Sequence, residues 1–166
     1  VVVAASERPV IQTALNVDFS QVKEIEPGHA LVIRRDGSIE MESVLPAKLR
    51  KSCSFERIYF SRGTDVDIYR ERKKLGQLLT PAILNAVNHD LEHTVFSYIP
   101  NTAAVAYYGM SEALQTFCDG IKKDLLLKDA AILTPDVIDR IMKLKPRIEK
   151  VAVKDIKLRT FITQDN

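Results

Sequence analysis

What most limits the fold of this chain is a change of hydrophobic period across residues 51–65. Before that stretch, short apolar runs alternate with turn residues, the pattern of small strands. After it, from Val66 onward, apolar residues recur at helical spacing. The stretch is therefore read as a domain seam. Within it, residues 55–60 alternate large apolar with polar side chains, and that alternation predicts a half-buried strand. Arg62 and Gly63 end the pattern and lead into a charged helix.

Upstream of the seam, residues 1–5 form a β-branched run that predicts a buried strand. Ser6 is the expected N-cap of a short helix with Pro9 in its first turn, where a missing N–H costs nothing. Val10, Ile11, Ala14 and Leu15 would give that helix one apolar face ending near Asn16. Residues 22–26 alternate, Pro27-Gly28 turns the chain, and strands at 30–33 and 39–44 flank the turn Arg35-Asp36-Gly37-Ser38.

Downstream, a charged linker with Lys48, Arg50 and Lys51 enters the seam. Ile68, Leu75, Leu78, Leu79, Ile83 and Leu84 predict a helix face, with Pro81 expected to kink the helix or start a second one. Residues 94–99, apolar on both faces, predict a parallel strand. Thr102 is the expected N-cap of a helix over 103–127. Thr134-Pro135-Asp136 opens another that runs to about Lys145 and stops at Pro146, and residues 150–154 form a last short strand. The fold class that follows is α/β, with an α+β piece at the N-terminal side.

Composition narrows the function. With 166 residues, 46% hydrophobic and 28% charged, the chain reads as an ordinary soluble protein able to bury a core. A net charge of +2 gives no electrostatic reason to expect nucleic acid or an anionic membrane as partner. No apolar run approaches the roughly 18 residues of a membrane span, and residues 1–5 lack the features of a signal peptide. A cytoplasmic location is expected, with Cys53 and Cys118 as reduced thiols. Starting without Met, the chain is expected to be part of a longer protein.

The wording of the seam carries more. Cys53-Ser54-Phe55-Glu56-Arg57-Ile58-Tyr59-Phe60-Ser61-Arg62 resembles the segment where the glutaminase domain of amidophosphoribosyltransferases passes into their phosphoribosyltransferase domain. Ala5-Ser6-Glu7 and Ile25-Glu26-Pro27-Gly28-His29-Ala30 keep to the closing elements of that glutaminase domain. Tyr69, Arg72 and Leu75-Gly76 sit where the family has its first helix after the seam. The resemblance implies that residues 1–47 end an N-terminal-nucleophile glutaminase domain. It implies that residues 48–166 begin a type I phosphoribosyltransferase domain carrying a helical insertion.

Two site segments follow. A strand, a turn and a helix N-terminus at residues 99–103 can cradle an anion, but taken alone they read first as an ordinary βα turn. The family's pyrophosphate loop reads Ile/Val-Pro-(Glu/Asp)-(Thr/Ser), and Ile99-Pro100-Asn101-Thr102 keeps its frame with Asn101 in place of the acid. Arg159-Thr160-Phe161-Ile162 is similar to the end of the family's catalytic loop, although the Tyr and Arg that precede it there are absent. The resemblance thus implies that Pro100, Asn101, Thr102, Ala103 and Thr160 bind the pyrophosphate of phosphoribosylpyrophosphate. It gives Lys154, Lys157 and Arg159 a catalytic role toward the leaving group; taken alone, three such cations read as a solvated surface.

Also implied are glutamine as second substrate, Mg2+ accompanying phosphoribosylpyrophosphate, and a homo-oligomer when the protein is intact. Some family members hold an iron–sulfur cluster through four Cys, one in the seam. Here the expectation for Cys53 is a buried structural thiol instead. The family's nucleophilic Cys at residue one is replaced by Val1, and its acidic 5-phosphate motif is absent, so the chain alone is expected to be inactive. Two alternatives stay open: a phosphoribosyltransferase without glutaminase activity, and a non-catalytic homologue serving as a regulatory or interaction module. His89 and His93 have zinc spacing but no third ligand, and are read as residues of a helix end. Asp65 and Asp67 are read as acids favoured by a helix N-terminus, and His29 as a structural turn residue.

Overall fold

A computed structural model describes residues 1–49, 51, 53–128 and 133–154. The chain divides into two compact units, Val1–Asp65 and Val66–Asn166.

In the first unit, helix α1 spans Arg8–Leu15. Its N-cap is Glu7, not Ser6, and no side chain caps it; Pro9 lies in the first turn and Asn16 closes the helix in the left-handed region at φ 50°. Strands β1 (His29–Ile33) and β2 (Ile39–Ser43) form the expected antiparallel hairpin, with Leu31 opposite Met41. Its turn is made by Asp36, whose carboxylate accepts from the Ser38 N–H at 2.9 Å and hydroxyl at 2.7 Å, and by Gly37 at φ +87°. Those bonds, the Ser38 backbone N–H first, hold the Asp36 carboxyl below its usual range. The strand expected at residues 1–5 is not formed; those residues are exposed and irregular, since a strand needs an edge to pair with.

The seam strand is also corrected. Glu56–Phe60 is a π-helical turn, closed by the Ser61 N–H on the Glu56 carbonyl at 2.9 Å. Phe55 and Tyr59 stack with centroids 4.9 Å apart, and Phe60 sits edge-on to both at 5.4 and 5.3 Å. Residues four apart would stand roughly 13 Å apart on an extended strand, so this ring contact requires helical backbone. Aromatic packing has overridden β-propensity here. Cys53, expected to be buried, is exposed beside this cluster.

α1 and the end of the seam are tied by charge. The Arg8 guanidinium is bidentate on Asp65, with Nη2 at 2.6 Å from Oδ1 and Nε on Oδ2. It also lies 4.0 Å above the Phe19 ring, while the Glu7 carboxylate accepts from the Arg62 N–H at 2.8 Å.

In the second unit, helix α2 (Val66–Ala86) runs without a break through Pro81, so the expected second helix does not start there. Its buried positions are Ile68, Arg72, Gly76, Thr80 and Leu84, every fourth residue. Leu75, Leu78 and Leu79, expected on the buried face, are exposed. The reason lies in helix α3 (Ala104–Lys128), whose buried residues include Gly109, Met110, Leu114 and Cys118. A Cβ on Gly76 would overlap the Ala106 carbonyl, and one on Gly109 would overlap the Lys73 carbonyl. The backbones touch at this crossing, and nothing larger than glycine fits at positions 76 and 109. Ridges spaced by four residues on both helices are the commonest way such pairs interlock. Lys73 Nζ and Glu112 Oε1, 2.6 Å apart, span the crossing, and Thr80 Oγ1 donates to the Gly76 carbonyl at 2.9 Å.

The turn after α2 contains Asn88 and His89, both with positive φ, and the His89 N–H returns to the Leu84 carbonyl at 2.8 Å. The predicted six-residue strand shrinks to β3, Val95–Phe96. It pairs in parallel with β4, Arg147–Ile148, and the strand expected at 150–154 is not formed. Phe96 explains the placement: its side chain joins the core of Leu84, Leu91, Met110, Leu114 and Cys118, and its carbonyl accepts from the Glu149 N–H at 3.0 Å. Helix α4 (Pro135–Lys143) starts as expected at Thr134, whose hydroxyl caps the Val137 N–H at 3.4 Å. The architecture is a mixture of helices and small sheets of α/β kind. No described helix is long and apolar enough to cross a membrane.

Candidate functional site at the end of the parallel pair

Because β3 and β4 are parallel, the segments that follow them leave from the same end. In α/β architectures that carboxyl end is where ligands are bound. From β3, Ser97, Tyr98 and Ile99 lead to a turn at residues 100–103, and α3 begins at Ala104. The helix therefore starts two residues after Thr102, and the expected N-cap shifts accordingly. The Ala104 N–H bonds the Asn101 carbonyl at 3.1 Å and the Tyr107 N–H the Ala103 carbonyl at 2.9 Å. The peptide bond between Pro100 and Asn101 is cis.

Asn101, Thr102 and Ala103 are exposed and Pro100 is half-buried. The turn presents a side-chain amide, a hydroxyl and the N–H groups of a helix start, a set of neutral donors suited to an anion. The turn contains no carboxylate.

From β4, Glu149 leads along an irregular exposed segment to Lys154. The parallel register thus brings Pro100, Asn101, Thr102 and Ala103 to the same end of the sheet as the start of the predicted cationic segment. Lys157, Arg159 and Thr160 lie outside the described residues.

Two residues that sequence reasoning missed hold the segments together. The Tyr107 ring packs on Tyr98 at 4.5 Å, and its hydroxyl donates to the Glu149 carbonyl at 3.3 Å. The Val151 N–H donates to Ser97 Oγ at 3.2 Å. Burial, then the neighbouring Tyr98, pushes the Tyr107 phenol above its ordinary value. The sequence signal was slight: an aromatic in the first turn of a helix, four residues after the turn it would cover.

The other candidates have local partners. His89 lies 5.7 Å from the Phe117 ring, whereas the His93 Nδ1 is 3.0 Å from the Asp90 carboxylate. Asp90 is held below its usual range, first by the His93 backbone N–H. Asp65 is engaged by Arg8, and Asp67 lies in the first turn of α2. Cys118 is fully buried, which raises its thiol above the ordinary value.

No family model matches the chain, and no solved structure matches it significantly. Among curated proteins, amidophosphoribosyltransferase of Bacillus subtilis is 31% identical over 101 residues, 58% of this chain and 20% of that protein. Amidophosphoribosyltransferases 1 and 2 of Arabidopsis thaliana, both named chloroplastic, are 28% and 27% identical over 97 residues, 56% of this chain and 16% of each relative. The matched region spans a fifth or less of those relatives' length. Over a stretch of about a hundred residues, the chain is similar to these amidophosphoribosyltransferases.

Proposed function

We propose that this chain forms part of an amidophosphoribosyltransferase of de novo purine synthesis. In this reading residues 1–47 close the glutaminase domain and residues 48–166 open the phosphoribosyltransferase domain. The intact protein hydrolyses glutamine to glutamate and ammonia. The ammonia nitrogen bonds to the ribose anomeric carbon of phosphoribosylpyrophosphate as the bond to pyrophosphate breaks, giving 5-phosphoribosylamine. The reading also takes the protein to be cytoplasmic and homo-oligomeric.

The observation that supports it best is the parallel pair β3–β4, with the turn at 100–103 and the segment of Lys154 leaving from one end. The turn's N–H groups, the Asn101 amide and the Thr102 hydroxyl would hold the pyrophosphate. Lys154, with Lys157 and Arg159, would offset the negative charge that grows on it as it leaves. Magnesium would enter with phosphoribosylpyrophosphate. The chain's two cysteines cannot supply the four thiolates of an iron–sulfur cluster by themselves.

A second reading, a non-catalytic homologue serving as a regulatory or interaction module, draws on Asn101 standing where the family's loop carries an acid. One assay separates them. The full-length parent is given glutamine, phosphoribosylpyrophosphate and Mg2+, and glutamate and pyrophosphate are followed together. Equal amounts, each dependent on the other substrate and both reduced by Arg159→Ala, support the amidotransferase. Pyrophosphate without glutamate supports a transferase lacking glutaminase activity, and neither product supports the module.

A further inference from the structure

The exit of β4 is fastened more firmly than its irregular backbone suggests. Three hydrogen bonds hold it within three residues: Glu149 N–H to the Phe96 carbonyl at 3.0 Å, the Tyr107 hydroxyl to the Glu149 carbonyl at 3.3 Å, and Val151 N–H to Ser97 Oγ at 3.2 Å. The first continues the ladder of the sheet. The other two come from side chains of the very segment that carries the candidate turn: Ser97 just ahead of it, and Tyr107 in the first turn of α3. The backbone N–H of Tyr107 closes on Ala103, and its ring lies on Tyr98. One side chain therefore touches the exit of β3 and the exit of β4, and sits one helical turn beyond residue 103.

We infer that Tyr107 and Ser97 are positioning residues, which set where the segment ending at Lys154 stands relative to the turn at 100–103. This rests on the reading of the turn as the pyrophosphate site. Neither hydroxyl is assigned contact with substrate. Each is a donor or acceptor for backbone that the sheet ladder holds only as far as the Glu149 N–H. Fixing a cation within an ångström of its working place matters because electrostatic help to a leaving group is given only in the geometry of the transition state.

The two hydroxyls can be removed without disturbing what surrounds them. Tyr107→Phe keeps the ring on Tyr98, and Ser97→Ala keeps the backbone of the β3 exit. In the full-length parent, each single variant should lower kcat by about three- to tenfold, the worth of one hydrogen bond, with KM for phosphoribosylpyrophosphate within about twofold. The double variant should lose more than either. Hydrogen exchange read on the same proteins should show the Val151 amide losing protection in Ser97→Ala, while the amides of α3 keep theirs.

A double variant with parental kcat overturns the inference while leaving the proposed function standing. So does a rise in KM at unchanged kcat, which would place the two hydroxyls at the turn instead. A parent that releases no pyrophosphate overturns both. Faster exchange throughout α3 would mean that the hydroxyls merely support the fold, and would also overturn the positioning role.

Discussion

Each of the two units owes its own order to different means. Among the described residues up to Asp65, only Pro9 and Asp65 are buried, and order comes from the Arg8–Asp65 pair, the Glu7–Arg62 contact, stacked rings and a hairpin turn. In the second unit, two helices meet backbone to backbone at Gly76 and Gly109 over a core of Leu84, Leu91, Phe96, Met110, Leu114 and Cys118. The difference teaches where a site can be built. A parallel pair as short as β3–β4 can hold a turn in place because Phe96 is anchored in a packed core. The first unit has nothing comparable.

That contrast can be broken most sharply at the crossing. Gly76→Ala puts a methyl into the Ala106 carbonyl, which cannot give way as a side chain could. The cost should reach the upper end for overpacking, about 3 kcal/mol or more, and denaturant unfolding followed in the second unit would show it. An unchanged midpoint would mean that the helices do not touch there.

Next in size is the charge tie of the first unit. Arg8→Ala takes the bidentate Arg8 guanidinium away from the Asp65 carboxylate, which is 6% exposed. Because Arg8 is itself partly exposed, about 2 kcal/mol is expected rather than the full cost of orphaning a buried charge. Chemical denaturation read from the rings of Phe55, Tyr59 and Phe60 would measure it, and the midpoint of the second unit should stay in place.

The thiols then separate the units without mutation. Cys53 is exposed and should react with an alkylating reagent in the native protein, whereas Cys118 should react only on unfolding. Burial raises the Cys118 thiol above its ordinary 9.0, so its contribution to stability is complete below about pH 9. It is lost as pH climbs toward the raised native value, because the unfolded thiol ionises first. The second unit should therefore weaken at alkaline pH, and Cys118→Ala should flatten that slope. The smallest effect is expected on the hairpin, where Met41→Ala, at an exposed position, should change stability by no more than about 0.5 kcal/mol.

Much of this was legible in the sequence, and the failures share a cause. The hairpin, the α4 cap at Thr134 and the helix start after the 100–103 turn rest on local chemistry, and local patterns revealed them. The seam strand failed because an alternating pattern also suits rings stacked four residues apart on a helix. The α2 face failed in part because Leu75, Leu78 and Leu79 point away from a contact that glycine and threonine help to make. Composition gives no sign that two backbones will touch. The turn at 100–103 was visible as a motif, but its nearness to the exit of β4 depends on a parallel register of two residues. The Tyr107 hydroxyl follows from that register alone.

Under the proposed function, the turn at the end of the parallel pair would bind the pyrophosphate released from phosphoribosylpyrophosphate. The most direct test is pyrophosphate release by the full-length parent with ammonia in place of glutamine, so that the glutaminase half is bypassed. Parent and Thr102→Val would be compared, since valine keeps the shape of the side chain and removes only its hydroxyl. The expected result is Mg2+-dependent release by the parent, with kcat/KM about tenfold or more lower in Thr102→Val, the worth of one hydrogen bond to a charged group. A parent silent with ammonia and with glutamine, or a Thr102→Val protein as fast as the parent, would contradict it.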